Sequence, residues 1–234
     1  MKIKNLEMIG TSHIARESMD AVATHIKTKK PDIVALELDN RRAHALMHNA
    51  KSKLSLKLVK VVGVKGFLFL VIASFLQKKL GKVVGVDPGS EMKAALKAAM
   101  KENSKIALID RNIEVTMRRL SQTLSWKERL RFVFDIFAGF FSKEMKEFRS
   151  MDLRKVPSKK LVIKVLKMLK KNYPNLYKVL VEERNEHMAS ALVDIMSKHP
   201  ESKILAVVGA GHEDELAALV KSKLKRTTYS FSFG

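Results

Sequence analysis

"PDIVALELDNRR", residues 31–42, decides the fold. Pro31-Asp32 ends whatever precedes it, and the short, apolar and partly β-branched run "IVALEL" reads as a buried strand. Asp39 or Asn40 then supplies an N-cap for a helix over "DNRRAHALMHNAKSKL". Strand, polar loop and helix are thus packed into fewer than thirty residues, with Glu37 at the strand's carboxyl end.

The same unit recurs on both sides. Upstream, residues 5–10 are mostly apolar and run into Gly10-Thr11-Ser12-His13. "IARESMDAVATHIKTKK" then carries Ile14, Met19, Val22, Ala23 and Ile26 near a 3.6-residue period, as an amphipathic helix does. Downstream, "GKVVGVDPGSEMKAALKAAMKENS" predicts a strand over 83–86, a turn over 87–90 and a helix over 91–101. "KIALIDR" is a further strand, ending in Asp110 and Arg111. From about 113 to 197 the pattern is helical throughout, after which "KILAVVGAGH" returns to strand and loop. "EDELAALVKSKL" is the next helix, and the alternation in "TTYSFSF" predicts a closing strand. The expectation is a single α/β domain over 1–234: a mainly parallel central sheet flanked by helices, with a large helical insertion at about 113–197 before the last strands.

Composition narrows the chemistry. With no cysteine, disulfides and thiolate metal sites are excluded. Lys and Arg number 45 against 24 acids, a net charge of +21 that attracts polyanions. Residues 143–171 alone hold eleven basic residues against three acidic ones, so an anionic membrane surface is a candidate partner. The charge also leaves nucleic acid open, but there are no interleaved aromatics and no RNA- or DNA-binding motif, which argues against it. In residues 61–81 the charge-free apolar core covers only 66–76, short of the roughly 20 residues a spanning helix needs. It reads as a buried helix or one lying on a membrane. "MKIKNLEMIG" is too short and too charged for a secretory signal, so a cytoplasmic location is expected, with membrane association as the alternative.

Ligands of parallel α/β sheets sit beyond the carboxyl ends of the strands. Three such ends carry His13, Glu37 and His212, the last in Gly209-Ala210-Gly211-His212, and a fourth carries Asp110 and Arg111. If the strands are neighbours, two imidazoles and a carboxylate converge on one crevice, a set suited to a divalent metal with an open position. Spacing alone does not tell whether Glu37 is a ligand or a general base. Each residue also has an ordinary reading: a helix cap for the histidines, a partner for Arg41 or Arg42 in the case of Glu37. In "VEERNEHMASAL", Arg184 and His187 share a helix face, and an arginine there can hold a carboxylate or phosphate; a surface ion-pair ladder is the plain alternative.

"IGTSHIARES", "PDIVALELDNRR", "GVDPGSEMKAALKAA", "KIALIDRNIEVTMRRL", "ERNEHMASAL" and "VVGAGH" together resemble the TraB/PrgY family in its archaeal branch, in the family's order and over nearly the whole chain. That family is similar to the Tiki proteases, the erythromycin esterase-like enzymes and the haem-binding ChaN-like proteins. The resemblance implies an α/β domain whose two G-x-x-H motifs frame the site. In Tiki relatives those motifs and a glutamate are linked to metal-dependent peptide cleavage favouring manganese or cobalt. Residue by residue, His13 and His212 match the motif histidines, Glu37 the glutamate, and Arg184 the arginine of an E-R-D motif in which Asn185 stands for the aspartate. TraB and PrgY are associated with shutting down peptide pheromones, by cleavage or by sequestration, and many archaeal members carry transmembrane helices after this domain.

The expected function is therefore a metal-dependent, peptidase-like hydrolase acting on peptides with Mn or Co. Its candidate metal ligands are His13, His212 and Glu37, and its candidate catalytic residues Glu37, Arg111 and Arg184. The alternatives are a peptide-sequestering module without turnover and a membrane-surface regulator. A homo-oligomer is open in either case.

Overall fold

The computed structural model describes residues 1–11, 16–48, 89–139 and 159–230. Its sheet is built from β1 (Lys2–Ile3), β2 (Leu6–Thr11), β3 (Ile33–Leu36), β4 (Lys105–Leu108) and β5 (Ile204–Gly209). The helices are α1 (Arg16–Lys29), α2 (Asn40–Met47), α3 (Ser90–Lys101), α4 (Ile113–Thr123), α5 (Trp126–Gly139), α6 (Lys159–Asn172), α7 (Pro174–Tyr177), α8 (Glu183–Lys198) and α9 (Glu213–Ser230). A π-helical turn, Lys178–Glu182, joins α7 to α8. Expected strand 83–86 and apolar segment 61–81 lie outside the described residues. Among the described residues no helix is long and apolar enough to cross a membrane.

Strand order is β1-β2-β5-β3-β4, and every pair is parallel except the β1–β2 hairpin. The first long strand and the last are therefore neighbours, in register from Leu6↔Ile204 to Thr11↔Gly209. β5 also pairs with β3 from Ile33↔Ile204 to Leu36↔Val207. All six residues of β5 and all four of β3 are buried.

Successive side chains of a strand point to opposite faces, and that alternation divides the core in two. Leu6, Met8, Ile33, Ala35, Ala206 and Val208 pack against Met188, Ala189 and Leu192 of α8 and Leu216, Ala217 and Val220 of α9. Val34, Leu36, Leu205 and Val207 pack on the other face against Val22 and Ile26 of α1 and Met92, Ala95 and Ala99 of α3. Each fully buried Leu, Ile, Val or Met contributes about 1.5–3 kcal/mol, so burial on both faces fixes the helical layers to the sheet.

The expected alternation of strand and helix is present, and α4 to α8 form the helical stretch between β4 and β5. Asp39 is the N-cap of α2: its Oδ1 accepts from the Arg42 backbone N–H at 2.9 Å. The closing strand is a correction. Residues 227–230 of the expected strand continue α9 to Ser230, and residues 231–233 lie outside the described ones. Adding residues to an existing helix costs little, whereas a new strand must find a sheet edge, so the two-residue alternation there does not decide the structure. Within the insertion, Pro174 opens α7, its missing N–H costing nothing at a helix start.

Candidate functional site

The carboxyl ends of β3, β4 and β5 deliver Glu37, Asp110 and His212 to one place. Glu37 follows β3 and is held by the sheet itself. Its N–H donates to Val207 O at 3.1 Å, and its Oε2 accepts from the Gly209 N–H at 2.7 Å. His212 ends the turn after β5, where its N–H donates to Gly209 O at 2.8 Å and its carbonyl accepts from Leu216 N–H at the head of α9. His212 Nε2 lies 3.5 Å from Glu37 Oε1. The turn also explains Gly10: a Cβ there would stand 2.7 Å from Glu213 Oε2 and 3.2 Å from Ala210 Cα.

Arg184, on the first turn of α8, closes the site from the helical side. Its Nε donates to Asp110 Oδ1 at 3.1 Å and its Nη2 to Asp110 Oδ2 at 2.8 Å, a two-pronged bond. Nη2 also donates to Glu37 Oε1. Nη1 donates to Leu180 O at 3.3 Å and lies 3.2 Å from His212 Nε2. One guanidinium thus touches both carboxylates and the imidazole. Burial opposes the charge on Arg184, but Glu37 and Asp110 beside it outweigh that and raise its pKa above the ordinary arginine value. Arg42 adds a second cation, donating from Nη1 to Asp110 Oδ2 at 3.2 Å.

Behind the imidazole a chain of bonds runs outward. His212 Nδ1 is 2.6 Å from Asn185 Oδ1. Asn185 Nδ2 donates to Glu215 Oε2 at 3.0 Å, and the Tyr177 hydroxyl donates to Glu215 Oε1 at 2.6 Å. Asn185 and Tyr177 are buried.

Of the residues expected at the site, Glu37, Arg184 and His212 meet there. His13 belongs to residues 12–15, outside the described ones. Arg111 is directed elsewhere. Its Nε donates to Thr116 Oγ1 at 2.9 Å, its Nη1 to Glu183 Oε2 at 2.9 Å and its Nη2 to Val179 O at 2.8 Å. Glu37 is not the partner of Arg41 or Arg42, since Arg41 pairs with Glu114 and Arg42 with Asp110. Nor is the α8 motif a simple ladder: Glu183 takes Arg111 and Arg119, Arg184 turns inward, and His187 is exposed. His187 lines an open cleft of about 750 Å³ together with Asp110, Arg111, Lys178 and Glu186.

Asp110 carries more of the site than its sequence context promised; its place at the end of "ALID" was the available signal. Glu215 gave no signal, because an acid in the first turn of a helix is ordinary. Among the described residues no three His, Asp or Glu side chains are arranged as ready metal ligands. The chemistry of the site nevertheless fits a divalent ion: carboxylates and an imidazole suit Mn, Co and Zn. The 3.5 Å between His212 Nε2 and Glu37 Oε1 is close to the separation of two ligands each about 2.1 Å from one metal.

Residues 3–219 match the family model described as the TraB/PrgY/gumN family. An uncharacterised protein of Methanocaldococcus jannaschii is 36% identical over 220 residues, 93% of this chain and 53% of that protein. TraB domain-containing proteins of Mus musculus and Homo sapiens are 25% and 26% identical over 229 residues, each match covering 88% of this chain and 60% of the relative. The chain thus spans between half and two thirds of the length of these relatives.

Proposed function

The chain belongs to the TraB/PrgY/gumN family, and on that premise we propose that it is a metal-dependent hydrolase domain acting on peptides. The observation that carries this reading is the meeting of Glu37, His212 and Arg184 at the carboxyl ends of adjacent parallel strands. Glu37 and His212, with His13 as the second motif histidine, would hold a Mn²⁺ or Co²⁺ ion. Such an ion lowers the pKa of its bound water to near neutrality and polarises a carbonyl. Arg184 would yield its contacts with Glu37 and His212 while staying paired with Asp110, and would then face a substrate carboxylate or a developing oxyanion. Glu37, anchored through Oε2 by the Gly209 N–H, would offer Oε1 to the ion or to a proton taken from water once Arg184 Nη2 has left it.

Calorimetric titration with Mn²⁺ and Co²⁺ tests the ion, and mass spectrometry of a peptide library tests turnover. Wild type should bind in the micromolar range, and His212→Ala and His13→Ala should each remove most of that binding while the thermal midpoint changes little. Absence of binding in wild type, or equal binding by both variants, overturns the metal reading. Binding of library peptides without cleavage would favour sequestration instead.

A second reading, compatible with the first, has its own observation. Trp126, Leu130 and Phe134 recur every fourth residue on α5 and are 60%, 67% and 71% exposed. α6 adds exposed Val165 and Met168 among Lys164, Lys167, Lys170 and Lys171. Apolar residues among lysines suit the interface of an anionic membrane. Trp126 is the sole tryptophan, so its emission should shift to the blue on vesicles containing anionic lipid and not on zwitterionic ones. The shift should fade near 0.5 M salt, where the Debye length is about 4 Å. An unshifted emission at low salt, or full binding by Leu130→Glu/Phe134→Glu, overturns it.

A further inference from the structure

The chain of hydrogen bonds from Tyr177 to His212 is set from Glu215. Glu215 is exposed at the start of α9 and, as a carboxylate, can only accept hydrogen bonds. It receives two, from the Tyr177 hydroxyl at 2.6 Å and from Asn185 at 3.0 Å. Burial, then the bond to Glu215, raises the Tyr177 pKa, so the phenol keeps its proton and remains the donor. Only the NH₂ of an amide donates, so Asn185 must turn that end to Glu215. Its oxygen is thereby turned to His212 Nδ1, 2.6 Å away. Two acceptors do not bond each other, so Nδ1 must carry the hydrogen. On the other side of the ring, Nε2 lies 3.2 Å from Arg184 Nη1, a group that can only donate. Asn185 Oδ1 and Arg184 Nη1 require the same arrangement, and Glu37 Oε1, 3.5 Å from Nε2, already accepts from Arg184 Nη2.

We propose that Asn185 is a positioning residue: oriented by Glu215 and Tyr177, it locks His212 as the Nδ1–H tautomer, with the Nε2 lone pair directed at Arg184 Nη1. The motif resembling the E-R-D pattern carries an amide here, and an amide fulfils the task only because a second acceptor fixes which of its ends faces the ring. An aspartate would present an acceptor in either orientation. In this chain the orientation is held from outside, through an exposed glutamate on a different helix. A histidine that binds a metal normally has its other nitrogen fixed in this way. The use of the lone pair rests on the metal reading above, whereas the tautomer does not.

Long-range proton–nitrogen NMR on metal-free protein decides the tautomer, at about pH 8.5, well above the ordinary imidazole pKa of about 6.5. Wild-type His212 should show a pyrrole-like Nδ1 and a pyridine-like Nε2. Asn185→Asp should preserve that pattern. Asn185→Leu should bring in the Nε2–H form and weaken Mn²⁺ binding about 10- to 100-fold. Glu215→Gln, at an exposed position that does not threaten the fold, should also mix the tautomers, because a glutamine cannot accept from both Tyr177 and Asn185 through its two ends. An Nε2–H ring in wild type overturns the proposal, as do wild-type nitrogen shifts in both Asn185→Leu and Glu215→Gln. A correctly locked ring in a protein that binds no Mn²⁺ would leave the positioning intact and sink the metal reading alone.

Discussion

Arg184 and Arg111 make a natural comparison. Each follows a carboxylate in sequence, each is largely buried, and each donates to a carbonyl of the π-helical turn, Leu180 for one and Val179 for the other. A π turn bonds its carbonyls one residue further along than an α-helix does and commonly marks a functional place. Here it offers oxygens to two arginines. Beyond that the two diverge. Arg111 is a strut, tying the end of β4 to α4, α8 and the turn through Thr116, Glu183 and Val179. Arg184 instead touches three groups that come from three different strand ends. An arginine at a strand end is thus a candidate by address only. What decides is whether its partners are groups with chemistry to offer.

The largest effect should come from removing Arg184. Arg184→Met leaves Glu37 buried without its guanidinium and Asp110 with the half-exposed Arg42 alone, and should destabilise by about 3–5 kcal/mol in urea unfolding. Adding Glu37→Gln should recover part of the loss. A loss below that of Arg111→Met would break the comparison.

Arg111→Met should cost less, about 2–3 kcal/mol, because Glu183 keeps Arg119 at 2.6 Å. It should leave Mn²⁺ affinity unchanged if Arg111 is a strut. A large loss of affinity at small cost in stability would return Arg111 to the site.

Glu183 sharpens the strut side through pH. The hydrogen bond from Arg119, then that from Arg111, holds its carboxyl at about 2, below the ordinary 4.5. A depressed folded value stabilises above the unfolded pKa and is lost as pH falls through the folded one. The loss should therefore occur between about pH 4.5 and 2, and amount to roughly 1–2 kcal/mol after discounting for the exposed Arg119. Glu183→Gln should flatten acid unfolding in that window; an unchanged slope would mean the pair is screened out.

The smallest effect belongs to Arg42, whose side chain is 38% exposed beside Asp110. Arg42→Ala should cost about 0.5–1 kcal/mol. A larger value would show that Asp110 depends on both of its cations.

Much of this architecture is legible in the sequence because local signals and tertiary structure agree. The buried run ending at Glu37, the cap at Asp39 and the period of Val22 and Ile26 each have one satisfactory solution. The meeting of strand ends was legible as a condition, that the first and last strands be neighbours, and the sheet order meets it. What was not legible depends on distant partners. The direction of Arg111 is set by Glu183 and Val179, about seventy residues away. The amide end of Asn185 is set by a glutamate on another helix, and no periodicity records that. The pattern of residues 227–230 was legible and misleading, since alternation states what a strand would look like and not whether a sheet edge awaits it.

The position of β5 has a consequence for how the molecule comes into being. Among the five described strands it is the central one, joining the β1–β2 hairpin to the β3–β4 pair, and it follows the other four in the chain. Until residues 204–209 leave the ribosome, β2 and β3 each present an open edge of unpaired backbone groups, the kind that recruits other chains. Closing the sheet joins segments nearly two hundred residues apart, and non-local pairing of this kind is slow. A nascent chain paused before residue 204 should therefore be a client for chaperones and a seed for aggregation, while the chain of residues 1–234 released from the ribosome should be neither.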